Sequence, residues 1–182
     1  SLALNVADAC APLVRVRRPA HPGAWPAGIS VVIPERDAPD MLREALACLW
    51  AALRAIREPW QVIVVVNGAA MRTYDALARE YPGIEWEHSE APLGFAGAIE
   101  RGLGRVRMGG TYLLNNDMTL DRDALAALMP LRNERAFAIG SQILQSDASG
   151  RREETGFTDW YVDAGGLRLY HAPAPASVSR HL

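Results

Sequence analysis

The segment Asn115-Asn116-Asp117 has the residue types and spacing that point most directly to chemistry. It follows an apolar run, Thr111-Tyr-Leu-Leu114, in which Leu113 and Leu114 are candidates for burial, so core packing does not account for three polar side chains at its end. A carboxylate beside two amides offers hard oxygen donors suited to a divalent cation or a polar ligand. A strand-end Asp also serves as a turn or helix cap, with Thr119 in reach, and on these three residues alone both readings stay open. Three further segments share this character: Pro34-Glu35-Arg36-Asp37, Val66-Asn67-Gly68, and the stretch from Ser89 to Gly94. Together they supply carboxylates, amides and glycines, with no His or Cys in a nucleophile position. That set suits a metal ion and a polar ligand better than acyl transfer.

The elements that must position these segments repeat along the chain. Ile29-Ser-Val-Val-Ile33 is a β-branched run ended by Pro34. Asp37 to Asp40 supplies helix-start chemistry, with Pro39 suited to the first turn. Met41, Leu42, Ala45, Leu46, Leu49, Trp50, Leu53 and Ile56 then recur at helical spacing up to Pro59. Gln61-Val-Ile-Val-Val-Val66 is apolar on both faces, as in a strand covered on both sides of a parallel sheet. A shorter helix is expected over Met71 to Tyr81, a strand over Ile84 to His88, and a helix over Pro92 to Arg107 with Phe95, Ile99, Leu103 and Val106 inward. Thr111 to Leu114 is the fourth strand, Asp121 and Asp123 open a last helix ending near Pro130, and Ala136 to Leu144 is a further strand. Alternating strands and helices at this spacing predict a parallel α/β sheet. Its ligand would lie outside the carboxyl ends of the strands, where the four polar segments gather. Trp160, Val162, Leu167 and Leu169 flank Gly165-Gly166, which predicts a β-hairpin over Asp159 to His171. Residues 1–28 read as an extended arm, 29–145 as the α/β core, and 146–182 as the hairpin-like segment with a loose Pro/Ala tail, one domain overall.

Composition narrows the function. The 182 residues suit one domain, able to bury roughly 70% of its unfolded surface without disulfide or metal. A formal charge of −2 argues against nucleic acid or an anionic membrane as the main partner. All 19 basic side chains are Arg. Without Lys there is no Walker A loop, Schiff-base lysine or Lys general base. Cys10 and Cys48 cannot build a four-thiolate zinc site, and both are expected to stay reduced in a cytosolic setting. No run approaches 18 apolar residues, and no basic region precedes an apolar stretch at the start, so neither a transmembrane segment nor a signal peptide is expected.

Four stretches, in order, resemble the family 2 glycosyltransferases, the inverting GT-A group. Ser30-Val-Val-Ile-Pro34 is similar to the family's opening strand and proline, and Gln61-Val-Ile-Val-Val-Val-Asn-Gly68 to its second strand and turn. Leu93-Gly-Phe-Ala-Gly-Ala98 resembles the opening of the helix before the metal motif. Leu114-Asn-Asn-Asp-Met118 resembles the Leu-Asn-Asn-Asp form of the DxD motif found in rhamnosyltransferase-like members. The resemblance covers about residues 29–145. It implies a GT-A-like three-layer α/β/α fold with a mostly parallel central sheet, and a transferase, hexosyl or deoxyhexosyl, acting on a nucleotide-diphospho-sugar donor. The acceptor would be a glycan, a lipid-linked molecule or another, unidentified acceptor, as in polysaccharide biosynthesis.

Carried onto this sequence, the resemblance makes Asp117 a ligand of Mg²⁺ or Mn²⁺ and places Asn115 near the ribose, with Asn116 beside it. Pro34, Glu35 and Asn67 would line the base and ribose, and Gly94 would let the backbone approach the nucleotide. Arg101 reads either as an added positive charge or as a solvated face. The chain departs from the family pattern at Val66, where members usually carry an acidic residue that contacts the base. It departs again at Pro92 and Glu100, where Asn is frequent. Asp159 and Asp163 are the late carboxylates, equally readable as turn or strand-edge residues, and no catalytic base is assigned. A cytoplasmic location is expected, with peripheral association at the inner face of the membrane and oligomerisation both compatible. The alternative reading is an inactive or truncated GT-A-like module that binds a nucleotide-sugar without turning it over. A nucleotidyltransferase is disfavoured by the absence of Lys, and a dinucleotide-dependent dehydrogenase by the absence of GxGxxG after the first strand.

Overall fold

A computed structural model of the protein describes residues 25–133, 138–141, 143–147, 150–153, 157–163 and 166–172. The expected arm lies outside the described residues up to residue 24, and the Pro/Ala tail lies outside them from residue 173. The chain divides into two units, Ser1–Asp123 and Ala124–Leu182.

In the first unit the two apolar runs become the centre of a sheet. β1 (Ile29–Glu35) and β2 (Trp60–Asn67) pair in parallel from Ile29↔Trp60 to Glu35↔Val66. Val31, Val32, Ile33 and the whole of Val62 to Val66 are fully buried, because both faces of these strands are covered. β3 (Ile84–Ser89) lies parallel to β2, with Asn67 opposite Ser89. β4 (Gly110–Leu113) lies parallel to β1, from Ile29↔Gly110 to Val32↔Leu113. The strand order is β3-β2-β1-β4, so the chain steps outward from β1 to β3 and returns to the other side of β1 for β4. The order therefore reverses between β1 and β4, the place where an open α/β sheet leaves a crevice at its carboxyl edge.

Helices flank this sheet. α1 (Pro39–Leu53) begins with Pro39 in its first turn and Asp40 at the positive end of the dipole, as the sequence predicts, and buries Leu42, Ala45, Leu46, Leu49, Ala52 and Leu53. It ends before Ile56. The expected helix after β2 is split into a 3₁₀ turn (Met71–Tyr74) and α2 (Asp75–Glu80). α3 spans Gly94–Leu103, shorter at both ends than the expected Pro92 to Arg107. It packs Ala98, with Ile99 and the following Val106, against Val32, Ile63 and Val65. Gly102 permits that approach: a Cβ there would lie 2.4 Å from Val32 Cγ1. Beyond α3 the backbone is drawn onto a buried polar pair. Ser30 Oγ donates to Gln61 Oε1 (2.7 Å), and the same Gln61 oxygen accepts from the Arg107 N–H (3.1 Å).

Three expectations about inward side chains are corrected. Phe95 is 64% exposed and Leu103 45% exposed. Phe95 sits in the first turn of α3, at the end of the sheet rather than over its face. Leu103 is turned about 100° from Gly102, the residue that meets the strands. Leu113 is also exposed, at 53%, and only Leu114 is buried. β4 is the edge strand, and its Thr111 and Leu113 both face outward.

The second unit holds α4 (Ala124–Leu128), a 3₁₀ turn (Met129–Leu131) and two antiparallel pairs. β5 (Leu144–Asp147) pairs with β6 (Gly150–Glu153). β7 (Phe157–Asp163) pairs with β8 (Gly166–Ala172), in register Trp160↔Leu169 and Val162↔Leu167, which is the predicted hairpin. The strand expected over Ala136 to Leu144 is not found at residues 138–141 and 143. Residues 136, 137 and 142 lie outside the described residues, and strand structure starts at Leu144.

Candidate functional site

A cleft of about 340 Å³ opens at the carboxyl edge of the first unit's sheet. The end of β1 contributes Pro34, Glu35 and Arg36, and the end of β2 contributes Asn67. The head of α3 adds Gly94 and Phe95, and the segment after β4 adds Asn115, Asn116 and Asp117. All seven residues singled out in the sequence as candidate ligand or metal contacts thus line one cavity, at the point where the strand order reverses.

Their environments differ sharply. Glu35 is 2% exposed. Its Oε1 accepts from the Ala38 N–H (2.7 Å) and from the Tyr74 hydroxyl (2.8 Å), and its Oε2 accepts from Asn116 Nδ2. A buried carboxylate needs such donors, since without them its desolvation would be uncompensated. Tyr74 is fully buried. Its hydroxyl is held well above the ordinary tyrosine range, first by burial and then by the hydrogen bond to Glu35 and that carboxylate's charge.

Asn67 is also buried and engaged. Its Oδ1 accepts from the Leu93 N–H (2.7 Å) and its Nδ2 donates to the Gly94 carbonyl (3.1 Å), so one side chain clamps the start of α3. Gly94 itself has φ +72°, in the left-handed region that favours glycine, and a Cβ there would meet nothing within 4 Å. The backbone at the head of α3 therefore faces open space.

The segment after β4 starts in sheet register and then turns. The Leu114 N–H bonds to Val32 O (3.0 Å), extending the β1–β4 ladder, and the Met118 N–H bonds to Asn115 O (3.2 Å). Asn116 and Asp117 occupy the two corners of that turn. The Asp117 carboxylate makes no hydrogen bond or ion pair among the described residues, so it caps neither Thr119 nor a helix. It is exposed and lines the cleft. Among the described residues no three His, Cys, Asp or Glu side chains form a ready-made metal cage. One unengaged carboxylate between amide oxygens and an open cavity is a donor set that fits a hard divalent cation sharing phosphate oxygens and water.

Arg36 is exposed, lines the cavity and has no partner among the described residues. It was not singled out from the sequence, although its place directly after Pro34-Glu35 at a strand end is a signal that could have found it. Arg101, by contrast, pairs with Glu87 (3.4 Å), which Arg105 also contacts (2.7 Å), in keeping with the solvated-face reading. Val66 is fully buried beside Glu35 in the sheet. Asp159 and Asp163 lie on β7 in the second unit, where Asp163 pairs with Arg168 at 3.2 Å. No described helix is long and apolar enough to cross a membrane.

The model of glycosyl transferase family 2 matches residues 30–172. No curated protein matches significantly. Among solved structures, TarS from S. aureus shares 16% identity over 57% of this chain and 19% of its own, with a TM-score of 0.49. A mannosyltransferase from Pyrobaculum calidifontis, solved with GDP-Man and Mn²⁺, shares 19% identity over 69% of this chain and 41% of its own, with a TM-score of 0.47. The chain spans less than half the length of either.

Proposed function

The chain belongs to glycosyl transferase family 2, whose model spans residues 30–172, and on that premise we propose that its cleft binds a nucleotide-diphospho-sugar for transfer to an acceptor hydroxyl. The observation that carries this reading is the convergence of four strand-end segments on one cavity, with the Asp117 carboxylate left unengaged there. Departure of a nucleoside diphosphate builds negative charge on the leaving oxygens. Asp117 would hold a divalent cation, with Asn115 and Asn116 beside it. Bound there, the cation neutralises charge on the departing diphosphate without moving a proton.

The chain's own residues supply the remaining work. Pro34, Glu35 and Asn67 form the wall for the nucleoside, with Glu35 and Asn67 acting by holding other groups in place. Gly94 leaves its backbone open to the ligand. The Arg36 guanidinium offers an always-charged donor fork that matches phosphate oxygens.

This function is tested by heating the protein with Mn²⁺ and UDP, GDP or dTDP, followed by assay of the matching sugar donors for transfer or hydrolysis. One metal–nucleotide combination should raise Tm, and its sugar donor should turn over. No metal-dependent stabilisation with any of the three would contradict the reading.

A further inference from the structure

Glu35 has a relationship with Asn116 that ligand contact does not explain. Its Oε1 is fixed by two donors from separate stretches, the Ala38 N–H and the Tyr74 hydroxyl. The carboxylate therefore cannot rotate freely, and Oε2 is presented to Asn116. A carboxylate facing three donors only accepts, whereas an amide has a donating end and an accepting end. The Nδ2 of Asn116 must then turn toward Glu35, and Oδ1 becomes the opposite end of the amide. Asn116 lines the cleft next to Asp117, and its Oδ1 has no partner among the described residues.

We propose that Glu35 is a positioning residue acting through Asn116: it sets the amide so that an oxygen, not an N–H, is the group available beside the Asp117 carboxylate. A hard oxygen there favours a divalent cation–nucleoside diphosphate complex, and an N–H in its place repels the cation. This rests on the reading of the cleft given above and assigns Glu35 a role that needs no contact with ligand.

Glu35→Gln tests it with little change of shape. The Gln oxygen is claimed by Ala38 and Tyr74, so its NH₂ meets Asn116 and the Asn116 amide reverses. Titration of Mn²⁺ in the presence of the nucleotide that stabilises the parent protein should show at least a ~10-fold loss of metal affinity. Adding Asn116→Asp to Glu35→Gln returns an acceptor to face the Gln NH₂ and should restore metal affinity to within ~3-fold of the parent. A ligand-free readout runs alongside. The Asn116 side-chain NH₂ should exchange slowly with solvent in the parent and rapidly in Glu35→Gln.

Unchanged metal affinity in Glu35→Gln, or a double variant no better than the single one, would overturn the positioning role while leaving the cleft's function standing. A slowly exchanging Asn116 NH₂ in a parent protein that binds no metal–nucleotide pair would instead overturn the cleft's function and the metal-directed role with it. Rapid exchange in the parent removes the Glu35–Asn116 link itself.

Discussion

Asn67 holds the head of α3 with both polar atoms of its side chain, accepting from the Leu93 N–H at 2.7 Å and donating to the Gly94 carbonyl at 3.1 Å. The end of β2 and the start of α3 are thereby joined across 26 and 27 residues, and the joint forms one wall of the cleft. Asn67→Ala removes both bonds at a buried position. It should lower stability by about 1–3 kcal/mol in urea titrations and weaken nucleotide binding through the displaced Gly94 backbone.

Arg36 behaves in the opposite way. It is exposed and pairs with nothing among the described residues, so Arg36→Ala should leave stability within about 0.5 kcal/mol of the parent. Affinity for a nucleoside diphosphate should fall roughly 10-fold at low salt, and by less at high salt as the charge is screened. Calorimetry at two ionic strengths checks both parts.

Tyr74 gives a prediction about pH. Burial and Glu35 raise the pKa of its hydroxyl above the unfolded value, so the folded state keeps a proton that the unfolded state loses. The stability this contributes is complete below about pH 10, the ordinary tyrosine value, and is lost as pH climbs from there toward the raised value. Tyr74→Phe should abolish that part of the alkaline decline. At neutral pH it should cost about 1–3 kcal/mol, because Glu35 loses a donor. Denaturation midpoints at neutral and alkaline pH separate the two effects.

The sheet was legible because its central strands are continuous β-branched runs, Val31 to Ile33 and Val62 to Val66, which only a doubly covered parallel strand accommodates. The polar segments were legible for a related reason: Asn67 at the end of β2 and Asn115 to Asp117 after β4 interrupt apolar runs where packing has no use for them. What could not be read was which polar group faces inward. Glu35 stands in the charged stretch Glu35-Arg36-Asp37, and its burial is matched by donors the local sequence does not reveal: Tyr74, 39 residues away, and Asn116, 81 residues away, beside the nearby Ala38 N–H. Phe95 was read as inward from helical periodicity and Leu113 as buried from its place in an apolar run, but one sits beyond the end of the sheet and the other on its edge strand. Periodicity reports a face and not whether anything covers it.

The proposed role of Asp117 is to hold a divalent cation against the diphosphate of the donor. Its most direct test is calorimetric titration of Mn²⁺ into the protein saturated with nucleoside diphosphate, comparing the parent with Asp117→Asn. The parent should give a clear metal isotherm and the variant at least a ~100-fold weaker one, with Tm in the absence of ligand unchanged, since the carboxylate bonds to no other described residue. Equal metal affinity in the two proteins would contradict it.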